Sequence, residues 1–209
     1  MCSAPDPIAL VQEEHSLQLE LCDLLEAIAD RLPSEFDHAL AVIAIGILQG
    51  SMPAHMRFEE EALFPLLRRR LPSDHAVVLA LTCLEDEHAR DAGIISELTD
   101  ALKSAIAEGT VEDPETLGYV LRGFFESQRR HIAWEDRVVL PAAMAVLQQG
   151  DLAELQMWIM RSDHPRCSRQ SLLAVRAARS GQLLCKSCPS GAPKSETETS
   201  IAINDQEKK

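Results

Sequence analysis

Two stretches of this chain repeat the same polar residues at the same offsets. One carries Ser51, His55, Glu59 and Pro65, the other Ser127, His131, Glu135 and Pro141. An aromatic residue, Phe58 or Trp134, precedes each Glu, and an acidic one, Glu60 or Asp136, follows it. Upstream, Gln12, Glu13, Glu14 and His15 match Glu85, Asp86, Glu87 and His88. Residues four apart on an α-helix differ in direction by about 40°, so His55 and Glu59 share a face, as do His131 and Glu135. A single His–Glu pair at this spacing reads as a surface pairing. Two matched pairs, each joined to a further His, read as one buried site. Four imidazoles and two carboxylates buried without partners would be prohibitively costly. A pair of metal ions removes that cost, because imidazoles donate nitrogen and each carboxylate can bridge two cations. Two His per ion and two shared Glu leave coordination positions open for a small molecule. These donor types admit iron, zinc or manganese alike.

Helix punctuation supplies the elements that must position these residues. Asp6 and Pro7 start a first helix running to about Arg31, with Leu10, Leu17, Leu21, Leu24, Leu25 and Ile28 on its apolar side. Leu32, Pro33 and Ser34 break it, and Ser34 is the expected cap of a second helix extending toward Arg68, Arg69 and Arg70, cations that suit a helix C-terminus. Pro72 and Asp74 mark the next break, and a third helix runs to about Glu108, stopped by Gly109. Asp113 and Pro114 open a fourth toward Gln149 and Gly150. Asp151 with Glu154 resembles a capping box for a short fifth helix ending near Arg161. Pro53, Pro65 and Pro141 each require a kink or a boundary. Four long helices joined by short turns predict an all-α, antiparallel four-helix bundle over residues 6–162, each helix carrying one His. A helical extension follows over 163–180, with an amphipathic piece from Arg169 to Arg179. A disordered tail occupies 181–209, where apolar content is too low for a core.

Composition excludes several functions. The chain has 209 residues, enough to bury a real core without disulfides. Aromatics are only 4% and the net charge is −13, which disfavours a β-sandwich and argues against nucleic acid or an anionic membrane as partner. The longest apolar run, Ala39 to Leu48, is half of a membrane span. The N-terminus lacks the basic region of a signal peptide. A cytoplasmic location with its six cysteines reduced is therefore expected. There is no P-loop, no G-x-S-x-G and no H-E-x-x-H.

His15, His55, Glu59, His88, His131 and Glu135 together resemble the hemerythrin-like, or HHE cation-binding, domain. The resemblance implies a four-helix bundle around two non-haem iron ions with an oxo or hydroxo bridge, these six residues as ligands, and Glu59 and Glu135 bridging. Oxygen-carrying hemerythrins have a fifth His one turn after the third-helix His; here that position is Ala92. The four-His, two-Glu set looks more like bacterial iron-centre repair proteins, which respond to nitric oxide and oxidative stress and often carry an N-terminal domain with adjacent cysteines. Only fourteen residues precede His15 here. The expected ligand is a small diatomic or peroxide, in stress defence or iron–sulfur repair; a non-enzymatic oxygen or iron sensor or carrier is the alternative, and a zinc-filled structural bundle a third.

Other residues could extend the site. Cys22, seven after His15, is either a thiol near the metals or a small buried apolar residue, the latter being favoured. Ser51 and Ser127 are either imidazole partners or small residues easing helix approach. Gln12 and Glu85 could orient an imidazole, although exposed surface is the favoured reading. Phe58 and Trp134 wall the metal pocket or fill the core. Cys185 and Cys188 supply half a zinc site at most. Cys2, Cys83 and Cys167 have no assigned partner, and His38, His75 and His164 are read as surface residues.

Overall fold

A computed structural model describes residues 6–162, 164 and 175–177. The Cys185–Cys188 pair, Cys2, Cys167 and the expected tail over 181–209 lie outside these residues, as does most of the extension over 163–180. No strand occurs among the described residues.

Helix α1 spans Pro7–Arg31 and starts where the sequence places it, with the Asp6 carboxylate accepting from the Ile8 N–H at 3.0 Å. The second limb is α2 (His38–Gln49), α3 (Ser51–Phe58), a π-helical turn (Glu59–Leu63) and α4 (Phe64–Arg70). Its cap is Asp37, not Ser34. The Asp37 carboxylate accepts from the Ala39 and Leu40 N–H groups, both at 3.1 Å, and pairs with Arg31 at 2.6 Å, while Ser34 lies in the turn before it. Helix α5 (Ala76–Glu108) forms the third limb and stops at Gly109, whose φ of 72° suits the residue without a Cβ. The fourth limb is α6 (Pro114–Trp134), a second π turn (Glu135–Val139) and α7 (Leu140–Val146). It ends at Val146, short of the expected Gln149, because Leu147 is extended. Helix α8 (Gln149–Arg161) is then capped by Gln148, with Asp151 as the reciprocal partner in place of Asp151 with Glu154. The Asp151 carboxylate accepts from the Gln148 N–H at 2.8 Å and so serves as third helical residue.

The prolines mark segment boundaries without ending the limbs. An α-helical Pro65 would drive its ring against the carbonyl four residues back. In the π turn the Phe64 N–H instead reaches Glu59 O, five residues back, and Leu140 does the same to Glu135 O ahead of Pro141. Pro53 is the third residue of α3, where no helical acceptor exists for its missing N–H. The restart at Gly50 that allows this is tight: a Cβ there would lie 2.8 Å from Gly46 O.

Each limb packs on two neighbours, α1 on α2 and α6, α5 on α2 and α6, so the limbs close a ring. The apolar interior falls into two clusters. Leu21, Leu25, Leu48, Leu102 and Phe124 belong to one, and Phe58, Leu63, Phe64, Leu81 and Leu140 to the other. His38–Arg70 is long and apolar enough to cross a bilayer, but half of its apolar window is buried in this interior. Cap chemistry gives a direct test of the second limb. Asp37→Ala should cost about 1 kcal/mol in urea unfolding, while Ser34→Ala stays within about 0.5 kcal/mol.

Candidate metal centre

The six repeated residues meet between the two apolar clusters. α1 carries His15, α3 His55, α5 His88 and α6 His131, and the two glutamates open the π turns. All six are buried, Glu59 and Glu135 completely. His15, His55, Glu59 and Glu135 offer four ligand atoms within 4.8 Å of one another, and Glu59, His88, His131 and Glu135 offer four more. The two groups share both carboxylates. Glu59 lies 3.4 Å from His55 Nε2 and 3.5 Å from His88 Nε2; Glu135 lies 3.2 Å from His15 Nε2 and 3.3 Å from His131 Nε2. Each carboxylate thus touches both halves of the repeat.

Every imidazole turns Nε2 inward because a carboxylate on the adjoining limb holds Nδ1. His15 Nδ1 meets Asp136 at 2.7 Å, His55 meets Glu14 at 2.8 Å, His88 meets Glu60 at 2.9 Å and His131 meets Glu87 at 2.8 Å. These contacts run around the ring of limbs in order. A proton donated from Nδ1 leaves a lone pair on Nε2, as a metal-ligating His requires. Six of the inward atoms find no hydrogen-bond partner: His15 Nε2, His55 Nε2 and all four glutamate oxygens are buried and unsatisfied, despite the short separations. His88 and His131 face each other through Nε2 at 3.1 Å. Such a concentration of orphaned donors is explained by cations between them.

The model of the hemerythrin HHE cation-binding domain matches residues 6–143. The chain belongs to this family. No curated protein and no solved structure matches significantly. Metal binding is therefore the family property that these His/Glu clusters serve.

Within this hemerythrin-type bundle, sequence reasoning missed the carboxylates on the α1 and α5 sides. Glu14 and Glu87 orient the imidazoles, whereas Gln12 is exposed and Glu85 pairs with Arg68 at 2.6 Å. The signal was present, since both residues immediately precede a repeated His. His164 corrects another reading. It is buried, and its Nε2 meets Glu14 at 2.6 Å, because α8 folds back over the bundle. His38 and His75 are exposed as expected. Cys22 sits in the first apolar cluster, where burial pushes its thiol up to about 12, so it has no thiolate character at neutral pH. Ser51 and Ser127 are half-buried, and Ser127 lines a cleft of about 400 Å³ with Cys83, Glu87, Arg130, His131 and Trp134. That cleft brings solvent to one edge of the site. Phe58 is buried, and Phe64 stacks on His88 with ring centroids 6.1 Å apart.

The other face of the site follows from helix direction. Limbs one and three run opposite to limbs two and four, so both glutamates, four residues after their His, approach from one side. Positions three after His15 and His88, and three before His55 and His131, all lie about 4.5 Å toward the opposite side. They are Gln18, Asp91, Met52 and Gln128, all buried. Gln128 donates to the Asp91 carboxylate, and Gln18 Nε2 has no partner among the described residues. Ala92 is exposed, so Asp91 takes the buried position one turn beyond His88.

Electrostatics of the metal-free site complete its chemistry. Burial pushes His15 and His131 down, but carboxylates outweigh it, Asp136 and Glu135 for His15, Glu135 and Glu87 for His131, raising both from 6.5 to about 9. Burial, reinforced by His131, lowers His88 to about 3, and burial lowers His55 as well. Burial and the charge of Glu135 push Glu59 well up, whereas Glu135 is held down by His131 and His15 against its own burial. Protons thus stand where cations would. His15 and His131 must shed them to ligate, so ion affinity should climb as pH rises from 6.5 to about 9. The same two groups stabilise metal-free protein fully below 6.5, and that contribution is lost as pH rises through about 9. Adding zinc to metal-free protein at neutral pH should release about two protons or more per chain, read with an indicator dye.

Proposed function

We propose that His15, His55, Glu59, His88, His131 and Glu135 hold two iron ions, and that the protein binds and reduces a small diatomic or peroxide in nitric oxide or oxidative stress defence, including iron–sulfur repair. The observation that carries this reading is the pair of four-donor groups sharing Glu59 and Glu135. Two divalent ions with two carboxylates keep net positive charge, which favours ligands that become anionic on reduction. When bound, the iron pair supplies one electron from each ion and open coordination positions.

The chain's own residues do the rest. Asp136, Glu14, Glu60 and Glu87 fix the four imidazoles and raise their basicity as ligands. Glu59 and Glu135, which belong to both donor groups, would hold both ions from one side, which would leave the opposite side for an incoming ligand. There Gln18 Nε2 is free to donate to a ligand oxygen, and Asp91 with Gln128 gives a second polar contact. Phe58 and Phe64 keep bulk water from the glutamate side. The cleft at Ser127, Trp134 and His131 suits entry of a molecule of few atoms.

Metal content per chain on anaerobically purified protein, expressed with iron supplied, tests the reading. Two irons per wild-type chain, lost in the Glu59→Ala, Glu135→Ala double variant, are expected. Nitric oxide, oxygen and peroxide titrations of the iron-loaded protein should then give ligand-dependent oxidation. Preferential zinc loading, or metal indifferent to losing both glutamates, would overturn the di-iron assignment; ligand binding without turnover would leave a sensor or carrier.

A further inference from the structure

The four carboxylates that hold the imidazoles are not equivalent. Glu60, Glu87 and Asp136 have side chains 41–43% exposed, whereas the Glu14 side chain is 2% exposed. Water can fill the free lone pairs of the first three. Glu14 has no such recourse, and its second oxygen is taken by His164, 150 residues away in sequence, at 2.6 Å. The His164 side chain is fully buried. Its ring lies 5.7 Å from Phe58 and 5.8 Å from Trp158, whose rings are themselves 5.3 Å apart. Helix α8 brings it there, latched at its start by Asp151 to Arg70 at 2.8 Å and to Arg69 at 2.9 Å. Helix α8 and His164 lie beyond residues 6–143, the part matched by the family model, whereas Glu14, Phe58, Arg69 and Arg70 lie within it.

Breaking the His164 contact would leave a buried carboxylate oxygen without a donor, which is costly. Glu14 would then move toward water or toward another donor, and the His55 ring would lose its fixed orientation. We infer that His164 is a positioning residue of the metal centre: it fixes Glu14, Glu14 fixes His55, and the ion position between His15 and His55 depends on His164. Among the described residues the ion position between His88 and His131 has no such tie, since Glu60 and Glu87 serve it from the surface. The two positions therefore release metal at different rates when the C-terminal contact is lost. This inference rests on the metal pair proposed above.

The test is anaerobic release of iron(II) from the full chain to a chelator, followed by absorbance, alongside the thermal melt of each metal-free variant. In His164→Phe, which keeps the packing but lacks a donor, one of two irons should leave about ten-fold faster while the other keeps the wild-type rate. His164→Gln, which can still donate to Glu14, should return the fast phase to within about three-fold of wild type. His164→Leu takes the place of the Phe variant if overpacking prevents folding. Wild-type release of both irons in the Phe or Leu variant overturns the inference, as does equal acceleration of both irons in all variants, the mark of a packing role alone. A wild-type chain that takes up no iron pair overturns the di-iron reading, and this inference with it.

Discussion

Burying six ionisable side chains at one level of a helical bundle is tolerable only if each is held and faces a compensating charge. Four Nδ1–carboxylate contacts meet the first demand. They also fix the architecture, because each joins a different pair of adjoining limbs. His15 and Asp136 tie the first limb to the fourth, Glu14 and His55 the first to the second, Glu60 and His88 the second to the third, and Glu87 and His131 the third to the fourth. The ring of limbs is thus closed by polar contacts at the level where the two apolar clusters part. Protons meet the second demand in the metal-free protein, unevenly, since two imidazoles are raised and two lowered. Two cations would meet it evenly.

The prolines belong to the same constraint. Each π turn begins at one of the two fully buried glutamates, and each Pro stands two residues past its end. A wider turn at that point rotates the following segment and leaves the glutamate carbonyl bonded five residues on. The limb can then carry His and Glu four apart on one face, pass the Pro ring and continue into the second apolar cluster. A strictly α-helical limb would break at Pro65 or Pro141 and forfeit the packing of Phe64, Leu67 and Leu140.

What could be read from the sequence was whatever depends on local spacing. Helix starts at Asp6 and Asp113 follow from a capping side chain before Pro, and the metal-facing level follows from the duplicated His and Glu offsets. Readings failed where two local solutions were chemically equal and tertiary path decided between them. Ser34 and Asp37 can both cap a helix; the turn after Arg31 gives the position to Asp37. Asp151 can cap or serve third, and Leu147 turning extended gives it the latter place. Glu14 and Glu87 were hidden because acidic residues before a His look like solvated surface until the neighbouring limb is in place. His164 had no local signal at all, since its burial depends on a helix folding back across the bundle.

Duplication explains why the site is legible, but departures from it explain why the two halves cannot behave alike. Symmetry would place equal residues at Gln18 and Asp91 and at Met52 and Gln128. Instead the second half carries a carboxylate with its amide partner, and the first an amide, whose Nε2 has no partner among the described residues, and a thioether. The orienting carboxylates differ in the same sense, with Glu14 buried and backed by His164 and Glu87 open to solvent. Two ions in such surroundings would feel different donors, different access to water and different rigidity. A small molecule reaching the site would find a polar, partly hydrated position on one side. On the other it meets a dry, clamped one. The duplicated site therefore offers two chemically distinct metal positions, where a symmetric duplicate would offer two alike.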